Sequence, residues 1–170
     1  NILFSKEPSG KLVLAPSING MESTPLNIVA LPIPISHSGS FQIGERLYMF
    51  GGYLTGNTLH NGVYSIALNH LGPIGSWRSE TNLPMGLSDP SVMFSNGKII
   101  VVPSKGGDNI LSVSINEIDY TLGSWTSIGT LPVGIRENKS VVLGRRILLV
   151  ASDDTGRTFS ASILPSGKLG

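Results

Sequence analysis

The feature that most constrains this chain is self-similarity at a fixed spacing. Trp77 and Trp125, each ending a Gly-Ser-Trp, are 48 residues apart. Leu83-Pro84 and Leu131-Pro132 keep that offset, and so do Ile99 and Ile147 inside the strand-like runs 97–102 and 145–150. An earlier copy lies 52 residues upstream of the middle one, with Leu31-Pro32 before Leu83-Pro84 and Leu47 before Ile99. A fourth landmark is a Leu-Gly pair after a strand, at Leu71-Gly72, Leu122-Gly123 and Leu169-Gly170, with Gly10-Lys11-Leu12 as an older copy. One shared landmark would mean little. Four that recur every 47 to 52 residues define about three units of roughly 50 residues, the length of a propeller blade.

Each unit divides into four short segments. In the middle one, 97–102 is an unbroken Ile/Val run bounded by Asn96-Gly97 and Pro103, which suits a strand buried on both faces. The stretch 110–118 alternates, and 124–128 opens on Ser124-Trp125. Asn96-Gly97, Gly106-Gly107-Asp108 and Leu122-Gly123 supply turn residues able to take positive φ. The pattern predicts first strands at 36–43, 88–94 and 137–143, and second strands at 45–50, 97–102 and 145–151. Third strands fall at 62–68, 110–118 and 158–164, and fourth strands at 76–80 and 124–128. The expected fold is therefore all-β: a propeller of about three four-stranded antiparallel blades, part of a larger ring. Residues 1–30 read as the end of a preceding, divergent blade with Leu12-Val13-Leu14 in place of the Trp strand. Residues 31–82 and 83–130 are complete blades, and 131–170 is a blade lacking its last strand.

Composition agrees and excludes several classes. With 21 Gly, 11 Pro and only 14% charged residues, the chain is poorly suited to long surface helices. A net charge of +1 gives no general attraction to a phosphate backbone, so nucleic acid is not an expected partner. The absence of cysteine removes disulfides, thiolate metal sites and thiol nucleophiles together. Apolar runs such as 99–102 are too short to span a bilayer, and no secretory signal is visible.

The segment Leu47-Tyr48-Met49-Phe50-Gly51-Gly52, followed by Val63-Tyr64-Ser65-Ile66-Ala67-Leu68 and by Leu71-Gly72-Pro73-Ile74-Gly75-Ser76-Trp77, resembles Kelch-type β-propeller repeats. The likeness is to the microbial subtype whose blades end in a Leu/Ile-Gly-Ser-Trp turn followed by Leu-Pro, and it covers residues 31–170. It implies that Gly51 and Gly52 close the second strand at a tight turn beside the central channel. Pro103-Ser104 and Ala151-Ser152 replace that doublet in the later copies. Trp77 and Trp125, at one place in the repeat, read as structural rings sealing each blade against the next rather than as sugar platforms. Three blades cannot close a ring, so the partners expected are further blades, from the same longer chain, a second copy or another subunit.

A second resemblance sits at 152–159. Ser152, Asp154, Gly156, Thr158 and Phe159 fit the Ser-x-Asp-x-Gly-x-Thr-aromatic Asp-box of sialidases and related propellers. In those proteins the motif stabilises a rim hairpin through side-chain bonds to turn amides, so it implies structure and not catalysis. A sialidase-like hydrolase would also need clustered arginines and paired acid and nucleophile groups, and no such constellation emerges. Arg46 and Arg146 read as solvated hairpin residues, whereas Arg136, beside Glu137 at a strand start, is a candidate ligand contact. The longest polar insertion, 51–62, offers Tyr53, Asn57 and His60 as binding candidates. His37, His60 and His70 are too scattered for a metal motif, and no cofactor is expected. Asn138-Lys139-Ser140 matches a glycosylation sequon but opens a predicted strand. The expectation is thus a non-catalytic binding or assembly module for a protein or glycan, on a secreted, cell-surface or virion (phage tail or fibre) protein. The alternative is a fragment of a propeller glycoside hydrolase or lectin.

Overall fold

The computed structural model describes residues 2–6, 12–16, 29–70, 72–132, 138–151 and 156–170. Within them the regular structure is all strand and no helix. A hairpin of β1 (Ile2–Lys6) and β2 (Leu12–Pro16) comes first. Unit A is a four-stranded antiparallel meander of β3 (Gly39–Ile43), β4 (Arg46–Phe50), β7 (Val63–Asn69) and β8 (Gly72–Ser79). Between β4 and β7 a two-residue-per-arm hairpin intrudes, β5 (Tyr53–Leu54) with β6 (Thr58–Leu59). Unit B repeats the meander with β9 (Ser91–Ser95), β10 (Lys98–Val102), β11 (Asn109–Ser114) and β12 (Thr126–Thr130). Unit C has β13 (Asn138–Leu143), β14 (Arg146–Ala151) and β15 (Thr158–Ser162).

The first strands begin later than the pattern predicts. His37 and Asp89 take positive φ, 56° and 50°, just ahead of β3 and β9, so an extended ladder cannot run through them. The third strand of unit B ends early for a related reason. Asn116 Oδ1 accepts from the Ile118 amide and Asp119 Oδ1 from the Thr121 amide, so two local turns outcompete the ladder. Ile118, expected within the strand, is instead 91% exposed.

The units pack front to back. Because side chains alternate along a strand, Tyr48, Phe50 and Val63 share one face of A, and they meet Ile99, Val101, Leu111 and Val113 from the back of B. The front of B, with Met93, Ile100 and Val102, meets Ile147, Leu149 and Ala151 from the back of C. On C the corresponding front carries Val141, Leu143 and Val150, which are 60%, 70% and 52% exposed. First strands are neighbours in space, β3 with β9 and β9 with β13.

Two structural expectations change. Trp125 seals the seam with the preceding unit, not the following one: its Nε1 donates to the Thr81 carbonyl at 2.9 Å and its ring stands edge-on to Phe50 of unit A. Trp77 Nε1 likewise donates to the Val29 carbonyl at 2.9 Å. Val29 and Thr81 each lie two residues before a Leu-Pro, so the lock is written into the repeat. Direction follows from geometry, since these rings stand on the back of their own sheet. Gly51 and Gly52 do take positive φ, 60° and 109°. What demands glycine there is close approach: a Cβ on Gly51 would collide with the Leu87 carbonyl, and one on Gly52 with Ile35 and the Ser36 carbonyl.

Candidate functional site

Loops joining second to third strands, together with the segments leading into first strands, gather at one end of the sheets. There the repeat builds the same bridge twice. Ser36 pairs with Tyr53 in unit A, and Ser88 pairs with Lys105 in unit B. The residue after each serine is the positive-φ His37 or Asp89, and the Asp89 amide donates to the His37 carbonyl at 2.8 Å. Two equivalent stations therefore stand side by side, His37 with Tyr53 and Asp89 with Lys105. The first is aromatic, its rings edge-on at 5.8 Å between centroids. The second carries one charge of each sign. Non-glycine residues held at positive φ concentrate where a structure fixes side chains for use. The sequence signal that would have found them is the 52-residue match of Ser36-His37 to Ser88-Asp89.

The β5–β6 hairpin rises beside these stations. Asn57 occupies its exposed tip with φ 60°, beside Gly56 at φ 81°, so the Asn-Gly preference of tight hairpins is served here in the order Gly-Asn. The base is tied by the Gly51 amide to the Gly62 carbonyl and by the His60 amide to the Gly52 carbonyl. Glycines 86 and 106 let the hairpin sit close: a Cβ on Gly86 would lie 2.8 Å from Leu59, and one on Gly106 would strike the Gly86 carbonyl.

The predicted contact residues separate into different settings. Tyr53 is half-buried and turns to His37. His60 is half-buried too, and stacks on Tyr64 with Nε2 and the phenol oxygen 3.1 Å apart. Burial disfavours its imidazolium and lowers its pKa below the usual 6.5. Asn57 is exposed. Arg136, Ser152 and Asp154 lie outside the described residues. Of the Asp-box remainder, Gly156 has φ 60°, Thr158 opens β15, and the Phe159 ring packs against the B–C core, with the Arg157 guanidinium 5.7 Å from its centroid. Among the described residues no group of three His, Asp or Glu stands ready to hold a metal ion.

Arg46, expected to be solvated, belongs to a network in the A–B seam. It donates to Ser65 Oγ at 2.9 Å, Ser65 donates to Glu80 at 2.5 Å, and Arg78 pairs with the same carboxylate oxygen at 2.7 Å. Glu80 also accepts from the Leu122 amide, and the Tyr48 phenol donates to the Tyr120 carbonyl. Asn138 of the sequon is fully buried, and its side-chain amide donates to the Pro103 carbonyl at 2.8 Å. Folded chain presents nothing there to a glycosyl donor.

No protein-family profile matches the chain, and neither does any curated protein. Its fold does have a counterpart among solved structures. The structure of YjhT superposes with a TM-score of 0.59 at 15% identity, over 99% of this chain and 51% of that one. The chain therefore spans about half the length of YjhT, and the likeness is one of fold. Among the described residues no helix is long and apolar enough to cross a membrane.

Proposed function

We propose that the chain forms three consecutive Kelch-type blades of a β-propeller and serves as a non-catalytic binding module. The observation that carries this reading is the front-to-back order of the three meanders, with first strands adjacent and the front of unit C left apolar and open. A further blade, from the same polypeptide or another subunit, covers Val141, Leu143 and Val150. The half-length match to YjhT supports that completion.

The binding face is the end bearing His37, Tyr53, Asp89, Lys105 and the Asn57 tip. Flat rings beside a mixed-charge pair suit a glycan or a polar protein surface, through ring stacking and charge-assisted hydrogen bonds. A secreted, cell-surface or virion setting fits the charge-poor, Ser/Asn/Thr-rich exterior. Glycan arrays probed with the chain and with Tyr53→Ala and Asp89→Ala, alongside a glycosidase assay, test this. Binding lost in both variants at unchanged melting temperature supports the face. Binding indifferent to both variants removes it, and turnover of any glycoside removes the non-catalytic reading.

A further inference from the structure

The two seams are built from equivalent positions but filled differently. In sheet register Tyr48 pairs with Ser65, and Ile100 pairs with Ser112. By the 48-residue offset Glu80 corresponds to Ile128, and by the 52-residue offset Arg46 corresponds to Lys98. The A–B seam thus holds a phenol ring and a carboxylate where the B–C seam holds two isoleucines. The consequences are visible. A cavity of about 340 Å³ opens in the B–C seam, bordered by Lys98, Ile100, Ser112, Ile128, Arg145 and Ile163 among others. It lies at the hairpin end of the sheets, opposite the Tyr53 face. Ser65 donates to Glu80, whereas its counterpart Ser112, only 2% exposed, has a side-chain oxygen without a hydrogen-bond partner.

The chemistry around the cavity is one-sided. Two cations, Lys98 and Arg145, stand at its border, with no carboxylate among the described residues that line it. Arg145 spends its Nε on the Ile163 carbonyl at 3.2 Å, which leaves the rest of its guanidinium fork for another acceptor. The floor is aliphatic. A buried hydroxyl without a partner is unfavourable, and a serine turns between staggered positions at little cost, so an acceptor entering here gains a donor already free. The volume falls at the lower end of small-molecule sites.

We propose that this cavity binds a small organic carboxylate with an apolar or aromatic body. Its carboxylate takes the place that Glu80 holds in the preceding seam, receiving Ser112 and the two cations, and its body takes the place of the Tyr48 ring between Ile100 and Ile128. The site is independent of the glycan or protein face at the other end. 4-Hydroxyphenylacetate joins both missing groups in one molecule and is the probe, with 4-hydroxyphenylacetamide as its neutral isostere. In an NMR titration of the chain, the acid is expected to give saturable shifts at Ile100, Ser112 and Ile128, with the amide binding at least about tenfold more weakly. Ser112→Ala and Lys98→Met should each weaken the acid about tenfold, and Ile128→Glu should abolish binding by restoring the protein's own carboxylate. Lys98 is exposed, so its variant decides the matter if Ile128→Glu does not fold. No saturable shift at these residues, meaning a seam that holds water only, overturns the proposal. Equal binding of acid and amide, or indifference to both Ser112→Ala and Lys98→Met, overturns it too.

Discussion

Replacing Gly51 by alanine separates two reasons for a glycine that are usually confounded. The first is backbone: at φ 60° an alanine costs about 1–2 kcal/mol, partly offset by about 0.4–1 kcal/mol from the stiffened unfolded chain. The second is contact, because the added methyl meets the Leu87 carbonyl head-on. That carbonyl cannot easily retreat. It accepts the Gly52 amide at 2.7 Å, and Leu87 is fully buried, so relief means breaking a bond or shifting the segment that leads into unit B. Overpacking of this kind adds about 1–3 kcal/mol. Gly97 is the internal control, with φ 72° and open space where its Cβ would go. Gly97→Ala should therefore cost about 1 kcal/mol and lower the melting temperature by about 2–4 °C, while Gly51→Ala should cost about 2–4 kcal/mol and lower it by about 6–12 °C. Thermal and urea unfolding of the two variants side by side measures the difference. Equal losses would refute the claim that the seam, and not dihedral freedom, selects glycine at position 51.

Three further outcomes follow from the seams and the loop face. Trp125→Phe keeps an aromatic body beside Phe50 but loses the bond to the Thr81 carbonyl, so urea unfolding should show a loss of about 1 kcal/mol, against about 2–3 kcal/mol for Trp125→Ala. If Trp125→Phe loses nothing, the hydrogen bond contributes nothing, and if the two variants lose the same amount, the ring contact contributes nothing. Because burial lowers the pKa of His60, the unfolded chain binds that proton first, so stability falls as pH drops below about 6.5; His60→Gln should flatten melting curves compared between pH 7.5 and pH 5.5. Tyr48 gives the opposite limb. Burial, and after it the Glu80 charge, raises its phenol above the usual 10.0, so stability should decline as pH climbs past about 10, and an unchanged alkaline limb in Tyr48→Phe would contradict this.

Strand positions were largely legible in the sequence because the repeat averages over local ambiguity. Ile99, Ile147 and Leu47 vote together for one element where each alone would be a short apolar run. The edges were not legible. His37 and Asp89 shorten β3 and β9 through a backbone conformation that their side chains tolerate but do not announce, and the turns at Asn116 and Asp119 end β11 four residues early. At the loop face, Tyr53 was visible as a polar-loop aromatic, whereas its partner His37 is sixteen residues away and joins it only through the Ser36–Tyr53 bridge. Arg46 looked solvated because its acceptor, Ser65, is an unremarked serine until the register of β4 on β7 puts them on one face.

Seam positions can differ from unit to unit without altering the sheets themselves. Within a sheet each position is held by ladder bonds and by neighbours of its own unit, so substitutions there are felt at once. A seam position answers only to the adjoining unit, and two seams need not be filled alike provided each stays closed. Here the A–B seam closes with a charged network in which every group is partnered, from Arg46 through Ser65 and Glu80 to Arg78. The B–C seam gave up the carboxylate and the phenol but kept the serine, and it holds together instead through Lys168 donating to the Ser127 carbonyl, the Leu169 amide donating to the Ile128 carbonyl, and the apolar contacts of Ile147, Leu149 and Ile163. Those bonds fasten the outer strand of unit B to the last turn of unit C and leave the space above Ile100 unfilled. A retained donor beside a deleted acceptor is a different object from a simple void: an apolar cavity stays dry and only weakens the fold, whereas this one selects for charge.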